Sequence, residues 1–316
     1  TGYNLGVDCE ISFVLAQQDP NGVATNGVNR VSMGQAAWSE ASIDDIVKPQ
    51  TQWDPTKYLN MWVVKLVDDT ILGYAQFPSG STLPGIGNNG GADKTDGVVA
   101  SYDAFGTNDV NDGSFNLNPS YNLGRTMTHE VGHWLGLRHI WGDDELCTGA
   151  DNTSGDYVAD TPDSNTENYD CVTISHCTGN DMIENYMDYT NDACMNTFTA
   201  GQKARMVAVM TNSVRRKELS SSNGGTPGTS YALDGTIANI TIAVDGCAST
   251  YNRIITLENR GTTTLTTASI NYKLDNGVTT TYSWTGNLPQ YATINIDLGS
   301  VTTTSGPHTF QADIVN

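Results

Sequence analysis

Three of the chain's five histidines fall within eleven residues, in the run His129-Glu130-Val131-Gly132-His133-Trp134-Leu135-Gly136-Leu137-Arg138-His139. On a helix, His129 and His133 stand one turn apart on the same face, a spacing that lets two imidazoles bind one zinc ion. Gly136 lets the backbone leave the helix through a left-handed conformation and bring His139 round as a third ligand. Three neutral nitrogens leave a fourth position for water. Zinc lowers the pKa of that water from about 15.7 towards 7, and Glu130, next to the first ligand, is placed to take its proton and later return it to a leaving amine. A lone histidine pair reads as ordinary surface or core. A glutamate, a glycine and a third histidine added at these intervals read as a hydrolytic zinc centre.

Other motifs extend the pattern: Asn185-Tyr186-Met187-Asp188-Tyr189, Gly73-Tyr74-Ala75-Gln76-Phe77-Pro78, Asp160-Thr161-Pro162, and cysteines at 147, 171, 177 and 194. Together with the histidine run they resemble the metzincin clan of zinc peptidases, and within it the pappalysin family, especially its secreted prokaryotic members. The resemblance spans residues 11–206. It implies that Met187 forms an apolar floor beneath the zinc and that Tyr189 reaches towards the metal or the tetrahedral oxyanion. It also implies that Gly73, Tyr74, Ala75 and Gln76 form an edge strand on which an extended peptide substrate pairs by β-augmentation. Spacing alone leaves every pairing of six cysteines open. The resemblance implies Cys147–Cys177 and Cys171–Cys194, with Cys9 and Cys247 either paired with each other or buried as thiols. Family members bind structural Ca²⁺ near the active site, and Asp143, Asp144, Asp151, Asp156 and Asp160 supply the hard oxygens that this ion takes. Arginine-preferring members carry Asp immediately before the cysteine that follows the Met-turn, where this chain has Ala193. A strict arginine preference is therefore not implied, and Asp192, one residue earlier, is the substitute acid in a substrate pocket.

The elements that must position these groups follow from periodicity. Up to about residue 119 the chain reads as α/β, with strands at 9–16, 58–66, 71–77 and 97–102, a short helix at 42–47, and a Gly/Asn-rich loop at 78–96. A helix from about 123 to 136 places Met127, Val131 and Leu135 on one apolar stripe. Residues 142–194 are dense in Asp, Asn, Thr and Ser and form irregular chain braced by disulfides or ions. A last helix at 199–217 begins at a Thr199 N-cap and carries Arg215, Arg216 and Lys217 at its C-terminal end. Residues 220–230 have the composition of a flexible linker. Beyond them, short Thr/Ile/Val runs separated by turns such as Asn259-Arg260-Gly261 and Asp275-Asn276-Gly277-Val278 predict strands at the spacing of an all-β sandwich. The expected organisation is an α+β metzincin-like catalytic domain at 1–219, with a twisted mixed sheet, an active-site helix and a disulfide-braced lower half. A linker at 220–230 and a β-sandwich domain at 231–316 follow.

Composition narrows the function. The 316 residues carry 15 Lys+Arg against 35 Asp+Glu, a net charge of −20, which excludes nucleic acid as a partner. No apolar run approaches the roughly 18–20 residues of a membrane span. Six widely spaced cysteines suit disulfides in an oxidising compartment, and so a secreted or cell-surface protein. The reading is a secreted zinc endopeptidase acting on proteins or peptides, whose C-terminal domain anchors substrate or surface. An adhesion or binding module with a structural or inactive zinc site is the alternative, with Tyr272, Tyr282 and Trp284 as a possible binding face. Glu130, an acid that a structural zinc site does not need, favours catalysis.

Overall fold

The computed structural model describes residues 6–87, 90–143, 146–147, 155–241 and 250–315. They form two compact units: one holds the chain up to Phe13 together with Ala37–Asn223, the other Val14–Ala36 together with the chain from Gly224 onward. No helix among the described residues is long and apolar enough to cross a membrane.

In the first unit, Met61–Val64 (β1) pairs in parallel with Val98–Ser101 (β3), and Gly73–Ala75 (β2) adds antiparallel, giving the order β1-β3-β2. β3 is buried along its whole length, as a central strand covered on both faces must be. On one side, a helical stretch runs through Glu40–Ser42 (α1), a π-helical turn at Ile43–Val47 and Lys48–Thr51 (α2). It packs through buried Lys48, whose ammonium pairs with Asp44 and lies over the rings of Trp62 and Tyr74. On the other side, Arg125–Trp134 (α3) buries the expected stripe, Met127, Val131 and Leu135, in a core with Val98, Ala100, Met187, Met206 and Val209. Ala200–Asn212 (α4) closes this core, and its start carries a full capping box between Thr199 and Gln202.

Two expectations are corrected here. Residues 9–16 join no strand ladder: Cys9 and Ile11 rest on the core, while Phe13, Val14 and Leu15 are exposed, the last two already in the second unit. α4 stops at Asn212 rather than 217, so Arg215 and Arg216 do not face the helix dipole. Arg215 takes a left-handed backbone (φ 65°), and both guanidinium groups turn into the core to meet Asp96. That carboxylate accepts from Trp134 Nε1 at 3.0 Å, from Arg216 Nη1 at 2.9 Å, and from Arg215 Nε. Arg216 also donates to the carbonyls of Trp134 and Gln76, tying the end of α3 to the chain just beyond β2.

The second unit is all-β. Its strands are Gly235–Thr241 (β4), Thr250–Asn259 (β5), Leu265–Leu274 (β6), Thr280–Leu288 (β7), Thr293–Thr302 (β8) and Phe310–Val315 (β9), in two three-stranded antiparallel sheets ordered β4-β5-β8 and β7-β6-β9. Ile255, Leu257, Ile270, Trp284 and Ile296 share one core, with Tyr272 packed against it. Of the three aromatics read as a possible binding face, only Tyr282 remains exposed. The stretch 220–230, expected as a free linker, starts inside a 3₁₀ turn at Lys217–Ser221 and continues hydrogen-bonded to residues 17–24. Val14–Ala36 thereby joins this unit, a long-range pairing that linker composition does not reveal.

Replacing Asp96 by Ala leaves two buried arginines without their carboxylate. Urea denaturation of Asp96→Ala should show a stability loss of about 3–5 kcal/mol, the usual result of removing one partner from a buried ion pair.

Candidate metal centre

The active-site helix starts where its own chain offers no cap. Gly124, in the left-handed region at φ 78°, precedes it without a side chain to satisfy the first N–H groups. Asp192 fills that role: its Oδ2 accepts from Leu123 N at 2.7 Å and Arg125 N at 3.1 Å, a carboxylate at the positive end of a helix. Asp192 is 1% exposed. Its Oδ2 is thus turned to the backbone at the helix start, while its Oδ1 is buried without a hydrogen-bond partner. Ala193 beside it is exposed.

At its other end the helix closes on Gly136, with φ 88°. Leu137 N donates to Gly132 O and Gly136 N to His133 O, the reciprocal pair of bonds that ends a helix on a left-handed residue. This turn swings the chain back so that His139 meets the two helical histidines. His133 Nε2 lies 3.0 Å from both His129 Nε2 and His139 Nε2. The rings of His129 and His139 stand nearly perpendicular to that of His133, at 86° and 83°.

Each ring is held from behind. His129 Nδ1 donates to Tyr186 O at 2.7 Å, His133 Nδ1 to Leu137 O at 2.8 Å, and His139 Nδ1 faces Asp143 Oδ1 at 2.5 Å. Carbonyls only accept, so the protons of His129 and His133 sit on Nδ1 and their Nε2 atoms turn into the site; the carboxylate of Asp143 likewise accepts from His139 Nδ1. Burial, together with the neighbouring imidazoles, holds His129 well below the ordinary histidine range and His133 down to about 3. Burial also pushes the Glu130 carboxyl up to about 8. Converging lone pairs without a proton, beside a carboxyl whose charge is disfavoured, form a site that a divalent cation completes. The nitrogen set is the one that suits zinc.

The surroundings divide the remaining candidates. Met187 is fully buried against α3: a β-carbon on Gly132 would lie 2.4 Å from its Sδ. Tyr189 stands edge-on to His139, with ring centroids 4.8 Å apart. Trp141, which no spacing argument singles out, stacks on the outer face of His139 at 4.3 Å and 4°. Gly73 touches Glu130, since a β-carbon there would lie 2.9 Å from its Cγ. Along β2, Ser101 N donates to Leu72 O and Gln76 N to Gly97 O, so antiparallel alternation turns the N–H and C=O of Gly73 and Ala75 to the sheet's outer edge. Tyr74 and Gln76 serve the protein instead. Tyr74 OH donates to Asp44, while the Gln76 side chain donates to Ala92 O and accepts from Thr95 Oγ1, and the Gln76 backbone carbonyl accepts from Arg216.

Among the aspartates expected to bind calcium, Asp143 orients His139, and Asp160 accepts from Thr199 Oγ1 and Gly201 N at the start of α4. Asp156 is buried: its oxygens accept from Val158 N and Thr161 Oγ1, and burial pushes its carboxyl up to about 7. Asp144 and Asp151 lie outside the described residues, as does Cys247. Disulfides join Cys147 to Cys177 and Cys171 to Cys194, and Cys9 forms none among the described residues.

Residues 41–211 match the family described as pregnancy-associated plasma protein-A. An extracellular metalloprotease of Sordaria macrospora is 40% identical over 206 residues, 64% of this chain and 65% of that protein. One of Pyricularia oryzae is 34% identical over 192 residues, 58% of this chain and 60% of that protein. The chain thus spans less than two thirds of the length of these relatives. Among solved structures, Tannerella forsythia mature mirolysin in complex with a cleaved peptide is 43% identical with a TM-score of 0.55, covering 68% of this chain and 77% of that one.

A methyl group at position 136 would force a left-handed conformation on an L-residue and approach Val209 Cγ2 to 2.8 Å. Gly136→Ala should therefore lose about 1–2 kcal/mol from the backbone alone. It should also bind zinc more weakly than the parent, as shown by metal content after dialysis and by thermal denaturation.

Proposed function

The chain belongs to the pappalysin family of metallopeptidases, the one described as pregnancy-associated plasma protein-A, and on that premise we propose that it is a secreted, zinc-dependent endopeptidase acting on proteins or peptides. One observation carries this reading: three imidazoles with converging Nε2 atoms lie beside a buried glutamate and the open edge of a strand. His129, His133 and His139 hold the zinc. When bound, it supplies an activated water and polarises the scissile carbonyl.

The chain's own residues do the rest. The outward N–H and C=O groups of Gly73 and Ala75 pair with the backbone of an extended peptide, which fixes the scissile bond without dictating its side chains. Gly73, lacking a side chain, lets that edge approach Glu130 closely. Glu130 takes a proton from the attacking water at its carboxylate and delivers it to the departing amine. The Tyr189 phenol, kept protonated by burial and by the nearby carboxylates, donates to the oxyanion that develops on the substrate. Met187 and Trp141 hold the imidazoles in place by packing alone. Export is supported by the two disulfides and by relatives that are extracellular enzymes.

Calcium belongs to the same proposal, at Asp156. Its carboxylate and the Val158 carbonyl both lie within hydrogen-bond distance of Thr161 Oγ1, so three hard oxygens stand close together, and a cation among them would keep the carboxylate ionised.

Cleavage of a complex peptide library, mapped by mass spectrometry, tests the activity. Glu130→Gln should lose about 10²–10⁴-fold in kcat, the usual share of a general base, while retaining zinc. Equal cleavage by parent and variant would overturn the assignment. For calcium, the parent's melting temperature should rise with added CaCl₂ over EGTA, and Asp156→Asn should lose that rise.

A further inference from the structure

Two fully buried amides, Asn185 and Gln202, face each other beneath the metal centre. Asn185 Nδ2 donates to Gln202 Oε1 at 2.9 Å, and Gln202 Nε2 donates to Asn185 Oδ1 at 3.0 Å. The orientation of each amide is set independently by a backbone N–H, which only an oxygen can accept. Thr199 N donates to Gln202 Oε1 at 3.0 Å, and Met187 N to Asn185 Oδ1 at 2.9 Å. With both ends so fixed, the two amides are complementary, and they form a bidentate bridge from the first turn of α4 to the turn at residues 185–187.

That turn carries two groups the metal centre needs. Tyr186 O accepts from His129 Nδ1, and Met187 fills the space under Gly132 between the two helical histidines. The only other described hydrogen bonds on these residues' backbone run to Thr197, Met182, Asp188 and Ile140, all within irregular chain or the turn after the third histidine. Apart from α3, whose own His129 they orient, α4 is the one regular element among the described residues that hydrogen-bonds to them.

We propose that Gln202 is a positioning residue of the metal centre: through Asn185 it holds residues 185–187 where Tyr186 O orients His129 and Met187 supports the helix. A shift of that carbonyl turns His129 and misdirects its Nε2, so Gln202 acts on metal affinity without touching the metal. The inference rests on the zinc reading above.

The test is the zinc dissociation constant of the full chain, measured by competition with a chromophoric chelator, alongside the melting temperature of the metal-free protein. Gln202→Met keeps the volume and removes the amide, and it should bind zinc about 10–100-fold more weakly than the parent. Thr199→Ala serves as the control. It removes the α4 cap but leaves the amide bridge, so it should lower the melting temperature while binding zinc like the parent. If Gln202→Met fails to fold, Gln202→Asn, which keeps an amide but is one methylene too short to reach both partners, is read the same way. A lowered melting temperature with unchanged zinc affinity would reduce Gln202 to a structural role and overturn the proposal. A parent chain that takes up no zinc would sink the zinc reading itself, a result distinct from parent and variant binding alike.

Discussion

Three imidazoles brought nose to nose cannot be placed by the histidines alone. Each ring must keep its proton on Nδ1 and donate it to an acceptor behind it, so that Nε2 presents a lone pair, and each acceptor must stay rigid in a site from which most water is excluded. The protein meets this condition with acceptors from three places: the Tyr186 carbonyl in a turn far along the chain, the Leu137 carbonyl just beyond the helix, and the Asp143 carboxylate after the third histidine. Much of the fold around the centre serves to keep those three acceptors still.

The helix is therefore anchored at both ends from outside itself. Asp192 accepts from Leu123 N and Arg125 N at its start, and the ion network of Asp96, Arg215 and Arg216 grips Trp134 at its last turn. The same arginine holds the Gln76 carbonyl, so the spacing between the metal helix and the strand edge is set by one buried guanidinium. Isolated, such a charge would be costly to bury. Here it makes hydrogen bonds to a carboxylate and two carbonyls and lies 3.8 Å above the Trp134 ring, which offsets its lost hydration. Irregular chain is tolerated between 155 and 197 because it is pinned by disulfides and by side-chain amides and carboxylates that take over the backbone bonding of regular structure.

What was legible in the sequence was whatever depends on local spacing. His129, Glu130, His133 and His139 are read from helical periodicity and one glycine, and the stripe of Met127, Val131 and Leu135 from the same period. Strands β1, β2 and β3 were visible as apolar runs, though each is shorter than its run. Signals that needed a distant partner misled. Arg215 and Arg216 look like basic residues at a helix end, yet the carboxylate that claims them lies more than a hundred residues earlier. Asp160 and Asp192 read as metal or substrate acids, and the fold adds a role no spacing shows: each accepts from a backbone N–H at the start of a helix far from it in sequence.

The sequence by itself determined the histidine triad, the acid beside it and the run of strands from Gly235 onward, because each follows from residue types at intervals fixed by the geometry of one helix or strand. Only the tertiary structure decided what each acidic and amide side chain is for. Asp143, Asp160 and Asp192 have the same carboxylate, and Gln76 and Gln202 the same amide. Their roles differ because folding places each beside a different partner, and a hydrogen bond takes its meaning from the atom at its other end.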